Sequence, residues 1–203
     1  MSTVAIGALS FATRPARLPT FSEVRSRWRP SDVQLLDRNG EPINELRIDR
    51  HGRRLAWTAY QDISPALVRA VVASEDHRFW SHRGVDLVAL GVATAHALAG
   101  SHHRGASTLT MQLVSFLDPS MGRNSTRRTV LQKLKQTLAA IAIERRWSKH
   151  QILEAYLNLV TYRGELDGIG AASRVMFGKL PQGLGASESA VLAALIRAPN
   201  ANS

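Results

Sequence analysis

The segment Ser74-Glu-Asp-His-Arg-Phe-Trp-Ser-His-Arg-Gly-Val-Asp86 gathers carboxylates, two histidines and two aromatics within thirteen residues. Leu67, Val71 and Glu75 are spaced i, i+4, i+8, so on a helix Glu75 extends an apolar stripe, and Phe79 is next on the same line. A carboxylate pressed against apolar surface has its pKa raised, which suits a general acid or base working near neutral pH. The competing reading puts Glu75 past the buried end of the helix, facing water. His77 and His82 are five residues apart at a helix end, a poor spacing for two ligands on one face. Structural hydrogen bonding accounts for both more simply.

A second segment, Arg104-Gly-Ala-Ser-Thr-Leu-Thr-Met-Gln112, sets small residues and hydroxyls before a helix. Free N–H groups there, with Ser107 and Thr108, suit an anion or a sugar; equally, the two hydroxyls suit plain helix capping. Further on, Gln132, Lys133 and Gln136 share one helix face, and Lys133 with Arg127 and Arg128 can hold a pyrophosphate as point charges. The sequence has no P-loop, no G-x-G-x-x-G after a strand, no H-E-x-x-H and no S-x-x-K nucleophile. Without cysteine, disulfides and thiol chemistry are excluded.

These residues sit in a chain of 203 with 26 Lys and Arg against 16 acids, a net charge of +10. Such an excess favours an anionic partner: nucleic acid, a membrane surface or a phosphorylated substrate. Residues 123–149 carry eight basic side chains and one acid, Glu144. No helix-turn-helix, RRM or zinc signature accompanies the charge, which disfavours nucleic acid. No stretch approaches the roughly 20 apolar residues of a membrane span. The apolar run at 4–11 reads as a frayed end or as the last part of an anchor.

The elements that must position the candidates follow from periodicity and caps. Residues 1–31 form a connector with a short helical turn at 22–28. Residues 33–37 and 43–48 flank Asn39-Gly40, a strong hairpin signal, and 54–58 reads as a third extended piece within a small 32–62 unit. From Ser64-Pro65 on, the pattern is helical: 64–79, 87–99, 107–117, 126–146, 151–160, 167–177 and 187–197. Leu131, Leu134, Leu138 and Ile141 mark one stripe of the longest helix, opposite Gln132, Lys133 and Gln136. The predicted fold is mainly α with a small N-terminal hairpin.

Taken in order, the segments resemble glycosyltransferase family 51, the peptidoglycan glycosyltransferase domain of class A penicillin-binding proteins. Glu75-Asp76-x-x-Phe79-x-x-His82-x-Gly84-Val85-Asp86 resembles the first signature, and Gly105-Ala-Ser-Thr-Leu-Thr-Met-Gln112 the second. Ser148-Lys-x-x-Ile-Leu-Glu-Ala-Tyr-Leu-Asn158, Gly168-Ile-x-Ala171, Phe177-Gly-Lys179 and Glu188-x-Ala190 resemble later ones. Leu117-Asp-Pro119 and Tyr162-Arg-Gly164 are most similar to the penicillin-binding protein 1C type. The resemblance implies a lysozyme-like domain over 63–203 with a mobile jaw lobe, at the periplasmic face of the inner membrane. It implies inverting transfer from a lipid-pyrophosphate donor to the sugar 4-hydroxyl of lipid II, often assisted by Mg²⁺ or Mn²⁺. Partners implied are lipid II, a lipid-linked glycan strand, the membrane surface and cell-wall synthesis proteins.

By the same resemblance Glu75 matches the general base, and Asp76, Phe79 and His82 shape the site. Ser107, Thr108 and Gln112 line the cleft, and Lys133 meets the pyrophosphate. Three positions depart together: Gln136 stands where the family has a second catalytic Glu, Gln132 where it has Arg, and Ser115 where it often has Lys. Arg127, Arg128 or Lys135 are candidates to supply the missing charge. The departures also motivate a second reading, a weakly active or inactive module that binds lipid II or scaffolds cell-wall synthesis. The absence of an anchor and of a transpeptidase domain reads as the mark of a fragment, a truncated reading frame or a naturally lone domain.

Overall fold

A computed structural model describes residues 18–39, 42–49, 51–98, 107–121 and 130–197. The chain enters through α1 (Phe21–Arg27), opened by a Thr20/Glu23 capping box. An antiparallel hairpin follows, β1 (Asp32–Leu36) with β2 (Pro42–Arg47), in which Val33 faces Leu46 and Gln34 faces Glu45. The helices are α2 (Pro65–Glu75), α3 (Leu87–Leu98), α4 (Leu109–Leu117), α5 (Val130–Glu144) and α6 (Lys149–Leu159). A short pair, β3 (Thr161–Arg163) with β4 (Leu166–Asp167), leads to α7 (Ile169–Phe177) and α8 (Ala186–Arg197). The fold is mainly α, as predicted.

The capping chemistry read from sequence is in place. Ser64 caps α2 with Pro65 at its first turn, Ser148 and Gln151 form a capping box on α6, and Gly178 closes α7 at φ 67°. In the core α4 packs against both α5 and α6, while α2 packs against α8. Leu67, Val71, Phe79, Leu109, Leu113, Tyr156 and Leu157 are fully buried there. Each such side chain contributes roughly 1.5–3 kcal/mol of burial free energy.

Three elements differ from the sequence reading. α2 stops at Glu75 instead of running to 79, because the Asp76 carboxylate turns inward to accept Leu109 N–H at 2.9 Å. Phe79 is therefore buried from a turn and not from a helix face. Residues 54–58 form no strand; only Arg53 bridges to Leu166. Their backbone is paired with side chains: Asn158 holds both the N–H and C=O of Thr58, and the Trp28 indole donates to Leu55 O.

The third difference concerns α5. Its inward stripe is Gln136, Ala139, Ala140 and Ile143, whereas Leu131, Leu134 and Leu138 are 52–54% exposed. Small residues are required on the inner side because Gly84 (φ 92°) lies against the Ala140 backbone; a Cβ there would be 2.8 Å from its carbonyl. The apolar run at 4–11, Gly40, Gly105, Arg127 and Arg128 lie outside the described residues.

Candidate active site

Glu75 ends α2, where the helix dipole disfavours a carboxylate. Its side chain is 9% exposed and is compensated from two sides. Arg197 Nε lies 3.3 Å from Oε1, and Gln112 Nε2 donates to Oε2 at 3.1 Å. Tyr156 Oη in turn donates to Gln112 Oε1 at 3.0 Å. Burial, then the Glu75 charge and Tyr162, push the Tyr156 phenol well above its ordinary range, so it remains a donor. This fixes the Gln112 amide with its NH₂ toward Glu75.

Asp76 and His82 act on the scaffold beside the base. His82 Nε2 lies 2.9–3.0 Å from both Asp76 oxygens, and Asp76 also holds the first N–H of α4. Phe79 packs against Trp80 and His82, with Lys149 Nζ 4.3 Å above its ring centroid. Thr108 caps α4 and donates to Gly84 O at 2.7 Å. Asp86 caps α3 through Ala89 N–H at 2.7 Å and pairs with Arg78. The Arg78 hydrogen bond, against opposing burial, brings the Asp86 pKa to about 2.

A 360 Å³ cavity opens beside Glu75, lined also by His77, Arg78, Val88, Ser107 and Thr108. Lys133 reaches the Ser107 hydroxyl. The structure thus brings together Glu75, Asp76, His82, Ser107, Thr108, Gln112 and Lys133. Gln136 stands apart: it is 2% exposed, with Nε2 donating to Met111 O at 2.6 Å and Ser115 Oγ at 2.7 Å. His77 is exposed and forms no pair with His82.

Sequence reasoning missed Arg197 and the donor role of Tyr156. Tyr156 lay inside a quoted motif but, like Arg197, reaches the site only through tertiary packing, which spacing does not report. Glu154 and Asn158 of that motif hold Trp57, Thr58 and Tyr60 through hydrogen bonds of 2.7–2.9 Å, a positioning task for the chain opposite.

The carboxylates around the cavity do not suit a divalent cation. Glu75, Asp76 and Asp86 are each committed to internal cations or N–H groups, and the described residues contain no group of three or more His, Asp or Glu able to hold a metal. Mg²⁺ ordinarily needs one or two available carboxylates besides phosphate oxygens.

Residues 39–203 match the family described as Transglycosylase. The chain belongs to the transglycosylase family. The chain is 37% identical to penicillin-binding protein 1A of Escherichia coli (strain K12), over 91% of this chain and 21% of that one. It is 39% identical to the biosynthetic peptidoglycan transglycosylase of Rhodospirillum centenum (strain ATCC 51521 / SW), over 87% of this chain and 72% of that one. Penicillin-binding protein 1C of Escherichia coli (strain K12) is 40% identical over 69% of this chain and 18% of its own length. The transglycosylase chain thus spans about a fifth of the penicillin-binding proteins and most of the biosynthetic transglycosylase.

Proposed function

We propose that the chain is a peptidoglycan glycosyltransferase that polymerises lipid II, with Glu75 as general base. The observation that carries this reading is the Glu75 carboxylate at the wall of a cavity, held by Arg197 and by the Tyr156–Gln112 relay. In the reaction Glu75 takes the proton of the sugar 4-hydroxyl, and the oxygen attacks the anomeric carbon with inversion. The bond from that carbon to the pyrophosphate oxygen breaks, and the lipid pyrophosphate leaves toward Lys133. A base held in place by Arg197 and Gln112 loses little to reorganisation.

Work at a membrane surface is supported by apolar side chains left in solvent. Leu87, Val88, Leu90 and Val92 of α3 are 45–74% exposed, and α5 adds Leu131, Leu134 and Leu138. No described helix is long and apolar enough to cross a membrane. We assign the periplasmic face of the inner membrane as the working place, with lipid II, the growing strand and cell-wall synthesis proteins as partners.

The test is polymerisation of lipid II by the wild type and by Glu75→Gln. Glycan strands from the first and none from the second are expected. No strands from the wild type would sink the enzyme reading in favour of a lipid II-binding module, for which the uncharged Gln132, Gln136 and Ser115 are the motive.

A further inference from the structure

We infer that this chain meets the charge of its leaving diphosphate with the Lys133 ammonium and no divalent metal, and that Ser115 and Gln136 are positioning residues forming an uncharged brace behind it. The inference rests on the proposed function for its substrate. Its geometry stands on the seam between α4 and α5.

The brace begins with the Gln136 amide. Its two hydrogens are engaged by Met111 O and Ser115 Oγ, so the NH₂ group must point into the seam. The Ser115 hydroxyl lies 3.4 Å from both Met111 O and Met121 O, which ties the end of α4 into the same cluster. A carboxylate at 136 would set an acceptor against the Met111 carbonyl with no proton between them, a buried clash of like dipoles. The pocket therefore selects an amide, and Gln136 is not a neutral remnant of an acid facing substrate.

The brace also links the two halves of the chemistry. On α4, Met111 and Ser115 flank Gln112, which holds the Glu75 carboxylate. On α5, Gln136 lies one turn beyond Lys133, whose ammonium reaches Ser107 at the start of α4. Fixing α5 on α4 sets the separation between the base and the cation that receives the leaving group. The cost of a misplaced helix falls on kcat.

Among the described residues the cavity offers no uncommitted carboxylate: Glu75, Asp76 and Asp86 are each held by internal cations or N–H groups. An ammonium group can stabilise a departing diphosphate without metal recruitment.

The test measures Mn²⁺ binding to the full chain by the loss of free-ion EPR signal, alongside lipid II polymerisation in EDTA and in Mg²⁺. Mn²⁺ is expected to remain free at micromolar concentrations, with polymerisation rates in EDTA and Mg²⁺ agreeing within about twofold. Gln136→Glu is expected to lower kcat by about tenfold or more with little change in KM, and Ser115→Lys/Gln136→Glu to recover part of it by giving the carboxylate a cation. Ser115→Ala, which removes one acceptor of the Gln136 amide without adding a charge, is expected to lower kcat less than Gln136→Glu. Stoichiometric Mn²⁺ binding, or activity abolished by EDTA, would overturn the metal-free assignment. Equal kcat in Gln136→Glu and wild type would overturn the brace. A chain that makes no glycan under any condition defeats the proposed function, while the Mn²⁺ titration still decides the metal.

Discussion

Arg197, the last residue of α8, holds its guanidinium 3.3 Å from the carboxylate of Glu75, the last residue of α2. The two helices pack together, so the pair is set by the core and not by a surface loop. The ion pair also explains how a carboxylate is tolerated at a helix C-terminus, the end where the dipole repels it.

Arg197→Gln removes that compensation while keeping a side chain of similar length. Lipid II polymerisation is expected to fall by roughly 10–100-fold, the cost of leaving a nearly buried carboxylate without its cation. Circular dichroism should remain that of the wild type. Full activity in this variant would mean that Gln112 and the Ser74 hydroxyl are enough to hold Glu75.

Tyr156→Phe leaves Gln112 Oε1 without its donor, so the amide that donates to Glu75 is held from one side only. Stability is expected to drop by about 1 kcal/mol in urea unfolding, since the acceptor is part-buried. Activity should fall by about tenfold, less than in Glu75→Gln, because the base itself survives.

Gly84→Ala tests the close approach of the 84 turn to α5. The added Cβ would meet the Ala140 carbonyl at 2.8 Å, in a backbone conformation of φ 92° that side chains rarely adopt. A loss of about 3 kcal/mol, or roughly 6–12 °C in Tm, is expected by calorimetry. An unchanged Tm would show that α5 can shift away from the turn without penalty.

Leu131→Ser/Leu138→Ser addresses the exposed stripe of α5. Both leucines are in solvent, so stability should change by no more than about 0.5 kcal/mol per site. Co-sedimentation with vesicles of anionic phospholipid should fall clearly below the wild type. Equal sedimentation would remove α5 from the membrane-facing surface.

That same stripe shows where sequence reading stops. Ser64, Thr108, Ser148 and Gly178 announce helix ends through local chemistry, so the element order was legible. Glu75 was legible too, because its phase with Leu67 and Val71 carries it to the core edge. But α5 has two apolar faces, and periodicity marked the leucines, while the packed face is the alanine one. The alanines win because Gly84 brings a backbone against α5, a relation 56 residues away in sequence that no local pattern encodes. Gln136 shows the same limit: a polar residue on the leucine-opposite face reads as cleft-facing, and only the fold shows the Met111 carbonyl accepting from its amide.

Asp86 gives the pH dependence a definite sign. The Arg78 hydrogen bond, with help from Ala89 N–H and against burial, lowers its pKa from 3.8 to about 2. A carboxylate with a lower pKa in the folded state stabilises the fold fully above its unfolded value. That contribution is lost as pH falls through the folded value. Between about pH 4 and pH 2 the wild type should therefore lose stability that Asp86→Asn, lacking the charge, does not lose at this site. Arg78 is half-exposed, so solvent screening limits the effect to on the order of 1 kcal/mol. Urea midpoints measured across that range for both proteins should converge as the pH falls; parallel curves would show that the Asp86–Arg78 pair contributes nothing to the fold.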